Sequence, residues 1–242
     1  MQQLPHIACE HCQSLQLSFM KDCSADNFVS LNEHKHCKVF KKGQDLFHED
    51  GRPTGLYCIN SGKVKLYKTG NEGKSQILDI LSEGAFLGYR ALIAEEMYHH
   101  SATALEDTSV CFIPKNVFLQ ILESNPMFAK QLLKSLCHDF GIAEDRLKNM
   151  AQKSVSERLA ETLLLLAHSF KKQYDESASI LIDVSLPRED IANLVGTATE
   201  TVIRLLSDFK DKGVVLFEKK KIKIVDLPKL KKLAGEITYD TW

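Results

Sequence analysis

The spacing of hydrophobic positions changes near residue 114, and that change divides the chain. Before it come short apolar-rich runs, LYCI, KVKLY, QILDI, SATAL and SVCFI, separated by polar turns. Eight of the twelve glycines fall between Gly43 and Gly88, among these runs. Short runs of strand character broken by turn residues predict an antiparallel β-sandwich or barrel. Hairpin turns are expected at Asn60–Gly62 and Asn71–Gly73, because Asn and Gly accept the positive φ that such turns need.

From Pro114 the spacing becomes helical. Ala129, Leu132, Leu136, Phe140, Ala143, Leu147 and Met150 recur at steps of three or four, one apolar stripe along one long helix. The stripe is nearly at coiled-coil spacing and outlasts what one small sandwich covers. It therefore predicts a helix that pairs with its twin in a homodimer; the competing reading is a helix packed on its own β domain. Ser154-Val-Ser-Glu157 has the spacing of a capping box and predicts a second helix through RLAETLLLLAHSF. The polar stretch Lys171–Ser179 is read as a loop.

The most informative segment is LPREDIANLVGTATETVIRLLSDFKDKG, residues 186–213. Pro187 suits a first helical turn, Ile191, Ala192 and Val195 form an inner face, and Gly196 supplies a turn. Thr197-Ala-Thr-Glu200 then opens a helix whose Val202, Leu205 and Leu206 point inward. Small residues where two helices cross steeply make this a helix-turn-helix, whose second helix enters the major groove of DNA. After it, GVVLFEKKKIKIVDL reads as a two-stranded wing with Lys219, Lys220, Lys221 and Lys223 at its tip, placed for phosphate contact. The candidate DNA-contacting set is Arg188, Thr197, Thr199, Glu200, Thr201, Ile203, Arg204, Lys219, Lys220 and Lys221. Arg204 can pair bidentately with guanine and Glu200 can accept from the cytosine amino group. Thr197 and Glu200 also have capping-box spacing, which offers Glu200 a purely structural role.

Composition changes this picture little. The 242 residues are 44% hydrophobic and 26% charged, as in a globular protein. A net charge of −1 argues against a protein that coats nucleic acid wholesale and leaves room for a local basic patch. The apolar run LLLLA is too short to span a bilayer, and no basic region precedes an apolar core at the N-terminus. A cytoplasmic protein without a membrane partner is expected. Seven cysteines, an odd count, argue against a structural disulfide framework. No paired nucleophile and base, phosphate loop or metal-hydrolase histidine pattern is present, so an enzyme is not expected.

The chain resembles the Crp–Fnr superfamily of bacterial transcription regulators. The resemblance is carried by KKGQDLFHEDGRPTGLYCINSGKVKLY and GAFLGYRALIAEEMYHHSATALEDTSVCFIP for a cyclic-nucleotide-binding-type β-roll, by SVSERLA, and by REDIANLVGTATETVIRLL. It implies an α+β chain in four parts: a cysteine-containing leader over 1–24, a jelly-roll-like sensor β-roll over 25–124, a dimerisation helix over 125–152 and a winged helix-turn-helix over 153–242. It also implies a homodimer on a palindromic operator in double-stranded DNA, acting with RNA polymerase. By position Glu200 and Arg204 fall on the family's base-reading glutamate and arginine. Thr199 stands where the cyclic-AMP receptor has another base-reading arginine, and Ile203 where the Fnr branch has a serine.

The same resemblance frames the sensor. The candidate effector pocket is Gly88, Tyr89, His100 and Ser101. Tyr89 stands at the position of the ribose-binding glutamate and His100 at that of the phosphate-binding arginine; Ser101 is retained. Imidazole does not replace a guanidinium fork, so cyclic AMP is not expected to bind, and the small effector is unknown. His99 and His100 are read as exposed loop residues. The Fnr branch carries an iron–sulfur cluster on three N-terminal cysteines and one in the β-roll. Here Cys9, Cys12 and Cys111 fall at three such positions, and Cys23 comes later than the third N-terminal one. Zinc on Cys9 and Cys12 with His6 or His11, a reversible disulfide, and no cofactor at all stay open beside it. Cys58, Cys111 and Cys137 are read as small apolar residues in apolar surroundings.

Overall fold

The computed structural model describes residues 8–16, 18, 20, 21, 23–70, 73–170 and 179–235. Two compact units divide the chain, residues 1–138 and 139–242. The expected turn at Asn71–Gly73 and most of the loop over 171–179 fall outside the described residues.

In the first unit two antiparallel four-stranded sheets face each other. One contains β1 (His36–Phe40), β3 (Gly55–Ser61), β6 (Phe86–Leu87) and β8 (Thr108–Pro114), in the order β1-β8-β3-β6. The other contains β2 (Asp45–Phe47), β4 (Val64–Thr69), β5 (Ser75–Leu81) and β7 (Ser101–Ala104), in the order β2-β7-β4-β5. Strand side chains alternate between faces, so each strand of the first sheet serves two cores. Phe40, Ile59, Leu87 and Val110 point between the sheets and meet Phe47, Val64, Leu66, Ala102 and Ala104. Leu56, Cys58, Cys111 and Ile113 point to the outer face.

That outer face is covered by helices, and the N-terminal leader is part of the cover. A 3-10 turn at Cys9–His11 and α1 (Gln13–Gln16) bring Cys9 and Leu15 into the outer core, together with Met20 and Cys23. Leu31 of α2 (Ala25–His34), the apolar face of α4 (Lys115–Ser124), and Phe128 and Leu132 at the start of α5 (Pro126–Gln152) complete it. The Ser14 hydroxyl lies 2.8 Å from the Asn60 carbonyl and 2.9 Å from Glu83 Oε1 and gives its one proton to this pair of acceptors, tying the leader to the end of β3. Between β6 and β7 lies α3 (Tyr89–Ala94), started by Gly88 at φ 89°.

The stripe on α5 changes character along the helix. Leu132 is buried in the outer core, whereas Phe140 is 66% exposed and Leu147 69%. The chain's own β domain therefore accounts for the first turns of the stripe only. Cys137, read from sequence as an apolar core residue, is exposed on α5.

The second unit is built on α6 (Val155–Phe170), which starts with the expected capping box: Glu157 Oε2 accepts from Ser154 N at 2.8 Å and Ser154 Oγ from Glu157 N at 3.3 Å. Its buried face, Leu159, Leu163 and Leu166, belongs to a unit completed by β9 (Ile180–Leu181), α7 (Arg188–Val195), α8 (Thr199–Asp211), β10 (Val215–Glu218), β11 (Lys221–Ile224) and α9 (Leu227–Ala234). The expected two-stranded wing is a three-stranded sheet, order β10-β11-β9. Asn149 near the end of α5 is buried, and its Nδ2 donates to both oxygens of Glu161 at 3.0 and 3.1 Å. Lys153 Nζ stands 3.2 Å from the same carboxylate. Burial raises the Glu161 carboxyl above its ordinary range, and Lys153 opposes that shift.

Candidate nucleic-acid interface and sensor site

The two helices of the turn owe their geometry to one glycine and one arginine. Gly196 closes α7 at φ 72°, a conformation that favours glycine, and its N–H donates to the Ala192 carbonyl at 2.9 Å. Arg158 of α6 completes the closure: Nε donates to the Val195 carbonyl at 3.0 Å, and its other nitrogens reach the carbonyls of Lys153 at 2.9 Å and Gly196 at 3.4 Å. A guanidinium on the open carbonyls of a helix C-terminus satisfies groups that the helix itself leaves unpaired. The Arg in SERLA was the only sequence signal for this residue.

Helix α8 begins one residue later than its capping-box spacing implied. Ala198 is the N-cap, with Thr201 N donating to its carbonyl at 3.1 Å, and no side chain caps it. Thr197 and Glu200 therefore do not form a capping box, and Glu200 stands exposed in the first turn. Val202, Leu206 and Phe209 anchor the inner face, with Leu205 half-buried. The opposite face carries Glu200, Ile203 and Arg204, all exposed, with Ile203 at 52%; Thr199 and Thr201 flank them half-buried. Steps of three and four place Glu200, Ile203 and Arg204 on one strip of the helix, where base edges are read in a major groove.

The basic candidates divide. Lys219 and Lys220 form the two-residue turn between β10 and β11, exposed, with Lys219 at φ 56°. Lys221 instead pairs with Asp183 and is half-buried, and Lys223 pairs with Glu218 at 3.1 Å. Arg188 lies with its guanidinium 4.6 Å from the centre of the Phe217 ring, a cation–π contact that holds it on the wing.

In the sensor, the proposed effector residues are packed into the fold. Tyr89, His100 and Ser101 are all buried, and Ser101 Oγ accepts from Glu49 N at 2.9 Å. His100 is thus not the exposed loop residue expected from sequence. Its ring lies 5.8 Å from Phe47, and burial pulls its pKa down to about 4, so the imidazole is neutral. Phe47 in turn stacks on Tyr98 at 4.0 Å between ring centres. His99 does stay exposed, paired with Glu96 at 2.6 Å.

The thiols are more ordered than their sequence spacing implied. Cys9, Cys23 and Cys58 are buried in the outer core, with Cys12 and Cys111 packed against it. Lys35 Nζ donates to Cys9 Sγ at 3.0 Å, while burial still raises that thiol's pKa. Cys111, however, is disulfide-bonded to Cys37, which stands opposite it in the β1–β8 register. Cys111 is accordingly neither a free thiolate nor a simple apolar residue. Among the described residues no three histidine, cysteine or acidic side chains converge as metal ligands. The set Cys9, Cys12, Cys23 and Cys111 does not fit an iron–sulfur cluster in this arrangement, because one of the four sulfurs is bonded elsewhere.

With the helix-turn-helix and the β-roll in place, comparison with known proteins decides the family. The cyclic nucleotide-binding domain family matches residues 37–125, and the Crp-like helix-turn-helix domain family matches residues 157–233. The chain belongs to the Crp–Fnr superfamily. It is 29% identical over 96% of its length to the transcriptional activator protein anr of Pseudomonas aeruginosa, of which 94% is covered. It is 28% identical over 95% of its length to the fumarate and nitrate reduction regulatory protein of Vibrio cholerae, of which 91% is covered. Among solved structures, FixK2 from Bradyrhizobium japonicum has the same fold, with a TM-score of 0.73, 22% identity, and coverage of 84% of this chain and 98% of that one. A CooA variant from Carboxydothermus hydrogenoformans gives a TM-score of 0.69 at 25% identity over 86% of this chain and 90% of that one. This member of the Crp–Fnr superfamily is a DNA-binding transcription regulator and not an enzyme. Among the described residues no helix is long and apolar enough to cross a membrane.

Proposed function

We propose that the chain works in the cytoplasm as a homodimer on a two-fold symmetric operator, with α8 of each protomer in a major groove and RNA polymerase as the downstream partner. The observation that carries this reading is the bare strip Glu200, Ile203 and Arg204 on a helix whose other face is anchored by Val202, Leu206 and Phe209. Arg204 pairs with guanine and Glu200 with cytosine, Thr199 and Thr201 stand beside them, and Lys219 and Lys220 meet phosphates. Lys221, paired with Asp183, and Arg188, seated on the wing's Phe217 ring, brace the wing in this reading. The exposed half of the α5 stripe, Phe140, Leu147 and Met150, is the surface for the second protomer.

The input is redox or respiratory state. Relatives at similar identity are named as fumarate and nitrate reduction regulators or, in Haemophilus influenzae, as an anaerobic regulatory protein. Cyclic AMP is not the ligand in this reading, because His100 is buried and neutral where a phosphate needs a fixed positive charge. The test is selection of bound sequences from a randomised duplex pool, followed by anisotropy titration of the winner. A single two-fold symmetric motif that loses its preference at one base pair per half-site in Arg204→Ala supports the reading. Sequence-independent binding that Arg204→Ala leaves unchanged would overturn it.

A further inference from the structure

Three cysteines from three adjacent strands lie in one row across the first sheet of the sensor. In the register, Cys37 of β1 stands opposite Cys111 of β8, and Cys111 stands opposite Cys58 of β3. Residues opposite each other in an antiparallel sheet share a face, so all three sulfurs belong to the outer side. The central cysteine has two neighbours and can bond to only one. In the structure it is bonded to Cys37, with the two Cα atoms 4.1 Å apart.

The ladder explains the choice. A residue in a central antiparallel strand turns both its N–H and its C=O toward one neighbour and approaches the other more closely. The short Cys37–Cys111 spacing marks the close, non-hydrogen-bonded side, which leaves Cys58 at the wide side, about 5.5 Å between Cα atoms. Exposure divides the row the same way. β1 is the edge of its sheet and Cys37 is half-exposed, whereas Cys58 is buried in the outer core. Burial also pushes the Cys58 thiol far up, which keeps it protonated and a poor nucleophile.

We propose that Cys37 and Cys111 are a reversible redox site of the sensor, in which Cys37 is the entry thiol and Cys111 the resolving one. This deepens the redox reading of the regulator by naming the residues, and it needs no metal. The oxidant is a small-molecule disulfide of the glutathione class. The Cys37 thiolate attacks one sulfur of that disulfide, its S–S bond breaks, and one small thiolate leaves and takes up a proton. Cys111 gives its proton to water and attacks Cys37 Sγ, which expels the second small thiolate. The two cysteine sulfurs together lose two electrons and two protons, and the oxidant becomes two small thiols. Reduction by a dithiol runs the same steps backward through the accessible Cys37 side, because exposed disulfides are the labile ones. The bond joins strands that the sheet's own ladder also pairs over five residue pairs, from His36 opposite Phe112 to Phe40 opposite Thr108, so the strand pairing has a support besides the bond.

The test is thiol mapping of the full-length protein equilibrated without oxygen in reduced and oxidised glutathione at graded ratios. Samples are acid-quenched, alkylated and mapped as non-reduced peptides by mass spectrometry. The linked Cys37–Cys111 fraction is expected to change at least tenfold across the series and to return on reduction, to vanish in Cys37→Ser, and to persist in Cys58→Ser. Absence of the link at every ratio, a link that survives the most reducing ratio, or a Cys58–Cys111 link in the wild type would each overturn the proposal. The wild-type series decides the matter even where a variant fails to fold. Operator binding by the reduced protein reports separately on the DNA-binding reading, so the two can fail independently.

Discussion

Arg158 and Val195 are joined by a 3.0 Å hydrogen bond from a guanidinium to the last carbonyl of α7, across 37 positions of sequence. The recognition helix begins four residues further on, at Thr199. The start of the DNA-reading element is thus located by a residue outside it.

Arg158→Ala should therefore weaken the fold and DNA binding together. Charge-assisted hydrogen bonds of this kind contribute about 1.5–3 kcal/mol, and stability to urea should fall by that order. Operator affinity should fall further than stability alone explains, because α8 loses its fixed start. Arg158→Lys reaches fewer carbonyls and should recover only part of either effect. A variant with normal operator affinity would show that the turn positions itself.

The pair Lys153–Glu161 makes a different prediction. Lys153→Met removes the cation beside a buried carboxylate and leaves it the Asn149 amide, and breaking one side of a buried pair costs about 3–5 kcal/mol. Burial already raises the Glu161 pKa above the ordinary 4.5. The folded state therefore holds a proton there that the unfolded state gives up, and the loss should be small near pH 4 and grow as pH rises. Thermal unfolding of the variant at pH 4.5 and 7.5 tests this, and an equal loss at both values would contradict it.

His100 predicts the reverse trend. Its folded pKa is about 4 against an ordinary 6.5, so between those values the unfolded chain binds a proton that the folded one refuses. Stability should be unaffected by this group above pH 6.5 and should fall as pH drops toward 4, by up to about 1.4 kcal/mol per pH unit. His100→Phe should flatten that part of the profile, measured as the urea midpoint against pH.

For the basic tip, Lys219→Ala with Lys220→Ala should weaken binding to every duplex to a similar degree. The slope of log affinity against log salt should become shallower by about 0.9 for each phosphate that the variant no longer neutralises. A weakening confined to one operator would make the wing a base reader.

How much of this was legible in the sequence depended on the range of the signal. The helix-turn-helix and the Ser154–Glu157 capping box are set by residues a few positions apart, and period and spacing carry them. The long helix was legible for the same reason, but its division into a buried start at Leu132 and an exposed stretch from Phe140 depends on where the β-roll ends. What depended on register was not legible. Cys37 and Cys111 are 74 positions apart and meet only because β1 pairs with β8 at that phase. The pairing of Lys221 with Asp183, before the helix-turn-helix in sequence, likewise depends on the fold and was not legible along the chain. The burial of His100 beside Phe47 follows from β2 pairing with β7 in one sheet, far apart in sequence. At Thr197 the capping-box spacing was present but the chain used Ala198, so a local rule failed where the turn after Gly196 dictated the start.

The strand β9 has a consequence for how the DNA-binding unit bears load. Because Ile180 and Leu181 pair with Ile224 and Lys223, the chain enters and leaves the helix pair at the same small sheet. The two helices and the hairpin form one closed loop, clamped at its base like a ring in a socket. The wing is therefore anchored through β9 as well as through its own hairpin. Cutting the chain between β9 and α7 is expected to open that loop and loosen α7 and α8 from the sheet, read as a loss of operator binding.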